Sequence, residues 1–427
     1  MIGVTLIALF GLLLLSVPVG AALGLTGVIL SEQFAFIPAT RGIGTVTWGA
    51  MNDSVLVAVP LFVLMGEILL RSGMAGRMYS AMAAWLTWLP GGLMHANIAT
   101  STLFAATSGS SVATAATVGT TAIPEIRRHR YGQSIFLGSI AASGTLGILI
   151  PPSINLIVFG ALTNTSIPRL YLAGFVPGIG MALLFSVVVL IACRLRPELG
   201  GQKFPTSWRD RLTGLPHLLP PLLIFLLVVG SIYAGLATPT EAASLGVLGA
   251  LVIAAATGSV SRAMLAAAFR GTMRTTGMLM LIVSAAYFLN FVFGNIGLTR
   301  NVVAFFQELA LGPYETLAII IVFYLILGLF METLSLMVAT VPIFTPIVVA
   351  MGFDPVWFGV LVIMLIETAM ITPPVGINLF VIQGVREDGR LAEVVRGVLP
   401  FLAALLVGIA LLVAVPGLAL WLPGWLG

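Results

Sequence analysis

The stretch PGGLMHANIATSTLFAATSGSSVATAATVGTTAIPEIRRHRYGQSIFLGSIAASGTLGILIPPSINLIVFG, Pro90 to Gly160, decides how this chain folds. Two apolar segments meet at Thr107-Ser108-Gly109-Ser110-Ser111, a basic turn follows at Arg127-Arg128-His129-Arg130, and a long apolar segment is broken at Pro151-Pro152-Ser153. The polar cluster lies midway between Pro90-Gly91-Gly92 and Pro124, which predicts a helical hairpin with a polar tip at membrane depth. Non-helical backbone survives there only if it is buried in protein or lines a wet cavity. The proline pair removes backbone donors from the middle of an otherwise spanning helix. A polar hairpin tip beside a broken helix points to an ion or solute site.

Composition sets the class. The chain has 427 residues, 59% hydrophobic and 8% charged, with a mean hydropathy of +1.14. Soluble domains run near about 25% charged, so this is an integral membrane protein. Its apolar runs approach the roughly 20 residues a spanning helix needs and do not alternate as barrel strands would, so it is all-α and polytopic. The sequence pI near 9.6 reads as charge on cytoplasmic loops rather than as a nucleic-acid surface. The single Cys193 cannot form an internal disulfide. Met1 is not followed by a basic region, so the first apolar segment is expected to be retained. Without a Walker A sequence, HExxH or GxSxG, an enzyme is not expected.

Taken in order, residues 2–16 and 19–37 read as short spans and 52–70 as another, followed by an interfacial amphipathic stretch with Arg71, Arg77, Trp85 and Trp88. The hairpin occupies roughly 91–124, the broken span 131–162, and a further span 170–193. A hydrophilic linker, 194–217, joins two halves. Spans follow at 218–236 and 241–257, with Thr238-Pro239-Thr240-Glu241 as a helix start. A basic stretch with Arg262, Arg270 and Arg274 then precedes a span at 278–297. Residues 300–311 read as amphipathic and 313–346 as a second hairpin, with its tip near Phe330-Met331-Glu332-Thr333. A span at 357–382, broken at Thr372-Pro373-Pro374, leads through a basic loop to the last span, 397–424. The organisation is thus 1–90, 91–193, 194–217, 218–311 and 313–427.

The halves repeat. A shift of 222 residues carries Pro124 onto Pro346, Pro151-Pro152 onto Pro373-Pro374 and Ser110-Ser111 onto Glu332-Thr333. If the first hairpin opens to the cytoplasm and the second to the other side, all but Arg41, Arg169 and Arg300 of the 19 Lys and Arg lie in cytoplasmic segments. That bias obeys the positive-inside rule and predicts two inverted-topology repeats, each with a re-entrant hairpin and a broken helix.

Hydroxyls cluster at the first tip and break: Thr107, Ser108, Ser110, Ser111, Thr114 and Thr117, then Ser143, Thr145, Ser153 and Asn155. With the carbonyls freed at Gly109, Gly144, Pro151 and Pro152 they form a hard oxygen set suited to Na⁺, although small residues also serve plain helix packing. The second half offers Glu332, Thr333, Ser335, Thr340, Glu367, Thr368, Thr372, Gly376 and Asn378. Carboxylates inside spans are expensive and usually functional; Glu332 and Glu367 could bind a cation, carry a proton or pair with a partner's arginine. His95, at the start of a hairpin arm, reads as solvated.

The blocks GSSVATAATVG (Gly109 to Gly119), GTLGILIPPSINLIVFG (Gly144 to Gly160), AGFVPGI (Ala173 to Ile179), ATPTEAA (Ala237 to Ala243) and TPPVGINLFV (Thr372 to Val381) resemble the large membrane subunit, DctM- or SiaM-like, of tripartite ATP-independent periplasmic (TRAP) transporters. The resemblance runs from about residue 40 to 400. It implies Na⁺-driven import of a small organic acid across the bacterial inner membrane, by an elevator-type carrier of the ion-transporter superfamily. On that resemblance 91–193 and 313–427 form the transport domain, and 1–90 and 218–311 the scaffold. A separate small four-helix subunit of the Q type and a periplasmic substrate-binding protein would be its partners. Carried over by position, one Na⁺ would lie at Ser108, Gly109, Ser110, Ser111, Gly144, Thr145, Pro151 and Ser153. Another would lie at Glu332, Thr333, Thr372, Pro373 and Gly376. Substrate would meet Ser110, Ser111, Pro152, Asn155, Pro374 and Asn378. The rival readings are a self-sufficient divalent-anion/Na⁺ symporter and a non-transporting scaffold.

Overall fold

The computed structural model of the chain describes residues 1–36, 38–202, 206–298, 300–302, 304, 311–386 and 388–426. The described residues form helices and connecting turns with no strand. Among them, six helices are long and apolar enough to cross a membrane by length and composition. The chain is an all-α polytopic membrane protein.

Both hairpins are present, and local chemistry explains their tips. Gly92–Ser108 ends on Gly109, whose φ of +59° suits a residue without Cβ. The next residue, Ser110, is extended, and its hydroxyl accepts from the Ala113 N–H at 3.3 Å to start Ser111–Arg128. The second arm therefore runs beyond the expected end at 124, with Pro124 inside it. In the second half Pro313–Leu327 is followed by Thr333–Ala350, which carries Pro342 and Pro346 within it. Glu332 starts that arm, its carboxylate accepting from the Leu334 and Ser335 N–H groups at 3.1 and 3.2 Å.

The helix breaks also fall where expected. Gln133–Thr145 and a short 3₁₀ turn, Leu146–Ile148, precede Pro151-Pro152, and Ile154–Thr163 follows. Pro355–Ile371 ends at Thr372, and Ile377–Val385 resumes after Gly376, at φ +46°. Both Pro-Pro bonds are cis. Shifting Ser111–Arg128 by 222 residues lands it on Thr333–Ala350, end for end. The sequence repeat is a repeat of elements.

Several boundaries differ from expectation. A helix at Ile43–Met51 precedes Ala58–Arg71. The basic stretch 262–274 and the span 278–297 form one continuous 35-residue helix, Arg262–Ile296, because no glycine with positive φ and no proline interrupts them. Under the 222-residue shift it falls on 40–74, which the first half divides into Ile43–Met51 and Ala58–Arg71; a 66° bend at Gly73, with φ +69°, then leads into Met74–Leu86. The last span divides at Pro416 into Leu391–Ala414 and Gly417–Leu426. The linker is partly helical: Trp208–Tyr233 begins inside the segment expected to be loop, on a Ser207–Asp210 capping box. Trp85 and Trp208 meet edge to face at 6.3 Å, and Arg211 stacks on Trp208 at 4.9 Å, which seats the linker on the first arm. Most of the stretch 300–311 lies outside the described residues.

Small residues let the helices cross closely. Gly138 and Gly397 face each other so tightly that a Cβ on either would overlap backbone, that of Gly397 or of Ser134. Gly20 and Gly27 meet Leu281 and Phe288 on the long helix. Glu67 pairs with Arg71 at 2.9 Å and its carboxyl packs over Gly271. Replacing Gly397 with valine is expected to destabilise the detergent-solubilised protein by about 3 kcal/mol, the upper end of ordinary overpacking. Gly277→Ala, with nothing near the added methyl, is expected to leave the thermal midpoint unchanged or slightly raised.

Candidate functional site

A helix interrupted in mid-membrane leaves carbonyls without donors, and the sequence around each break supplies them. Pro151 and Pro152 carry no N–H, which orphans the carbonyls one turn earlier. The Ser153 hydroxyl donates to one of them, that of Ile148, and the same oxygen accepts from the Leu156 N–H to start the following helix. The first hairpin tip docks onto this break. The Ser111 hydroxyl donates to the Thr145 carbonyl at 3.2 Å. A Cβ on Gly147 would lie 2.7 Å from the Ser110 carbonyl oxygen, and one on Gly109 would lie 3.5 Å from that of Pro152. Gly144 is pressed against the backbone of Ala115. Ser108 and Thr114 share a hydroxyl–hydroxyl bond at 2.8 Å, and Thr114 also reaches the Ser110 carbonyl at 2.8 Å. Ser108, Gly109, Ser110, Ser111, Gly144, Thr145, Pro151, Pro152 and Ser153 thus converge on one small region rich in hydroxyl and carbonyl oxygens. Asn155, one turn on, is buried with its side-chain N–H₂ unpartnered among the described residues.

The second site is built differently. The Glu332 carboxylate is consumed locally: besides two backbone N–H groups it accepts from the hydroxyls of Thr333 at 2.7 Å and Ser335 at 3.3 Å. The second hairpin touches the helix before the break through Gly328, which packs against Ala369, and the Thr340 hydroxyl donates to Tyr324 at 2.7 Å. Thr372 donates to the Thr368 carbonyl at 2.6 Å. Among the described residues no hydrogen bond joins Glu332 or Thr333 to Thr372, Pro373, Pro374 or Gly376. Asn378 is fully buried and bridges the halves, donating to the Ala141 carbonyl of the helix before the first break at 3.2 Å.

Sequence reasoning missed a ladder beneath the first tip. Asn97 donates to Ser139 and Ser101 bonds Ser143, both at 2.9 Å. The equal spacing of the two pairs along Gly92–Ser108 and Gln133–Thr145 was available as a signal, since each pair sits one helical turn from the next. Missed too was Gly66, which brings the helix Ala58–Arg71 against the Thr107 and Ser108 carbonyls. His95 is not solvated: it is buried, 3.0 Å from the Pro90 carbonyl. Glu367 is fully buried, with neither oxygen hydrogen-bonded among the described residues. Glu241 behaves as expected, closing a capping box with Thr238.

Paired hairpins, paired broken helices and an oxygen-lined tip define a multi-pass membrane transporter. The chain belongs to the family described as "Tripartite ATP-independent periplasmic transporter, DctM component", whose model matches residues 6–418. It is 34% identical over 414 residues, 95% of this chain and 94% of the relative, to the C4-dicarboxylate TRAP transporter large permease protein DctM of Pseudomonas aeruginosa. It is 31% identical to the sialic acid TRAP transporter large permease protein SiaM of Vibrio cholerae, covering 97% of this chain and 96% of that one. The YdaH transporter of Alcanivorax borkumensis shares the fold, with a TM-score of 0.64 at 17% identity over 97% of this chain and 99% of that chain. This is therefore the large permease component of a tripartite bacterial inner-membrane transporter, and not an enzyme.

Docking of the first tip on its break generates a test. In Gly147→Val the added carbons meet the Ser110 carbonyl and the Thr114 hydroxyl. Uptake by the assembled transporter is expected to fall at least tenfold and detergent stability by about 1–3 kcal/mol, while the protein still inserts. Uptake within twofold of wild type would show that the contact is dispensable.

Proposed function

We propose that this permease imports a small organic acid, a carboxylate, by Na⁺-coupled secondary transport. The observation that carries the reading is the first hairpin tip docked on the Pro151-Pro152-Ser153 break, where hydroxyl and carbonyl oxygens gather. Such hard, uncharged donors match the needs of a small monovalent cation, and half-helix ends offer dipoles to it and to a carboxylate. One Na⁺ is assigned to Ser108–Ser111 with Gly144, Thr145, Pro151 and Ser153, and a second to Glu332, Thr333, Thr372, Pro373 and Gly376. In this conformation Glu332 is held by its own helix start, so the second set would gather as the hairpin closes. Ser110, Ser111, Pro152, Asn155, Pro374 and Asn378 face the substrate in this reading.

Movement follows the same division. Residues 91–193 and 313–427 form a transport body that slides, elevator-fashion, against a scaffold made of 1–90 and 218–311, the two repeats being inverted in the membrane. A small four-helix membrane subunit would widen the scaffold, and a periplasmic binding protein would deliver the substrate. The names of the relatives support an organic acid: C4-dicarboxylate for one, sialic acid for the other.

The test uses the tagged chain purified in mild detergent from its native membranes. A small membrane protein in equal amount is expected to accompany it. Reconstituted with a binding protein, the complex is expected to take up substrate only with an inward Na⁺ gradient. Ser110→Leu and Pro152→Ala are expected to abolish that uptake while the protein still inserts. Full uptake by both variants, or uptake indifferent to Na⁺, overturns the reading.

A further inference from the structure

The two bodies of the preceding section meet through mostly apolar surfaces, such as Phe225 against Phe175 at 5.6 Å between ring centres. Among the described residues, two tyrosine hydroxyls also cross the boundary. Tyr233, on Trp208–Tyr233, donates to the Pro168 carbonyl at 2.7 Å. Tyr287, on the long helix Arg262–Ile296, lies 3.2 Å from the Ala161 carbonyl and 3.4 Å from a carboxylate oxygen of Asp53.

The chemistry of the second contact is unusual. Ala161 is in the last turn of Ile154–Thr163, where carbonyls lack intrahelical donors; the Thr165 N–H returns to Gly160, one residue short of it. Tyr287 supplies the missing donor from the other body. A phenol has one proton to give, and two acceptors stand within reach, one on each body. Asp53 is fixed in place, because its other oxygen caps the Val55 N–H at 2.8 Å. When Ala161 moves away, the proton has a built acceptor on the scaffold.

We infer that Tyr287 is a positioning residue for the transport cycle, handing its proton from Ala161 to Asp53 as the transport body leaves and back as it returns. The hydroxyl is then bonded at both ends of the movement, which lowers the penalty an abandoned donor would impose in a membrane interior. Tyr233, with one acceptor, is a plain clasp. This inference rests on the two-body reading proposed above.

The hand-over predicts different effects for the two groups. Tyr287→Phe removes the hydroxyl's bond from both ends of the movement, to Ala161 and to Asp53, so the balance between docked and displaced arrangements moves little. Asp53→Asn keeps the cap on Val55 through its amide oxygen but turns an N–H₂ toward the phenol. The phenol proton is then left with Ala161 alone, and the docked arrangement gains. The measurement is a spin-label distance distribution in the full-length chain in lipid nanodiscs, with Cys193→Ala and labels at Asn164→Cys on the transport body and Leu236→Cys on the scaffold. Both label sites are exposed.

The docked-to-displaced ratio is expected to stay within about twofold of wild type in Tyr287→Phe and to rise about fivefold or more in Asp53→Asn, the weight of one hydrogen bond. With two distances still present in wild type, a fivefold fall in Tyr287→Phe, the mark of a plain clasp, or no rise in Asp53→Asn overturns the hand-over alone. A single wild-type distance under every Na⁺ and substrate condition overturns the moving-body reading and the hand-over with it.

Discussion

Every interruption of a helix inside a bilayer has to be repaired by the protein itself, because lipid offers no hydrogen bonds. This chain interrupts its helices at membrane depth in four places, two hairpin tips and two Pro-Pro breaks, and repairs each from nearby sequence. Ser110, Ser153 and Glu332 start the helices that follow, Gly109 and Gly376 supply left-handed turns, and Ser153 also satisfies a carbonyl abandoned by proline. The repair leaves polar oxygens facing one another where the first tip meets its break. In the Na⁺-coupled reading proposed above, the same backbone that is costly to bury becomes a surface for a cation once two interruptions are brought together. Fold and candidate site are one problem here, since the residues that make the breaks tolerable are those proposed to line it.

The two halves solve it unequally. The first tip is neutral, built from serine, glycine and threonine, and it is locked to its break through Ser111 and close glycine contacts. The second tip carries a carboxylate engaged with its own first turn, and it approaches its break through Gly328 rather than through a hydrogen bond. Asn378 and Ala141 tie the two broken helices to each other. A shared architecture therefore does not impose shared chemistry, and the first site is the more tightly assembled in this conformation.

Much of this was legible in the sequence. Pro-Pro pairs, Ser-Gly-Ser and a constant 222-residue shift announce the hairpins, the breaks and the repeat, because proline and glycine act on the backbone wherever they stand. What escaped depended on tertiary neighbours. Pro124, Pro342 and Pro346 sit inside helices that packing sustains, so proline was a poor guide to their ends. The basic residues of 262–274 looked like an interfacial arm, yet nothing in the backbone chemistry there stops a helix. His95 was misread because the chain buries it and sets its ring against the Pro90 carbonyl, five residues earlier, a local contact its residue type does not announce. The Asn97–Ser139 and Ser101–Ser143 pairs lie far apart in the chain and show themselves only once two helices are set side by side.

The continuous helix Arg262–Ile296 has a further consequence. At 35 residues it is about 52 Å long, whereas the hydrocarbon slab is about 30 Å thick. Roughly two fifths of the rod must therefore lie outside the hydrocarbon or be absorbed by tilt, and Arg262, Arg270 and Arg274 stand at the end that does so. The first half breaks the matching stretch into Ile43–Met51 and Ala58–Arg71, whereas the rod has no joint. Membrane thickness thus has a direct mechanical grip on this helix, and Tyr287 is mounted on it. The lipid composition of the host membrane thereby bears on the tilt of this helix, and with it on the place from which Tyr287 reaches the Ala161 carbonyl.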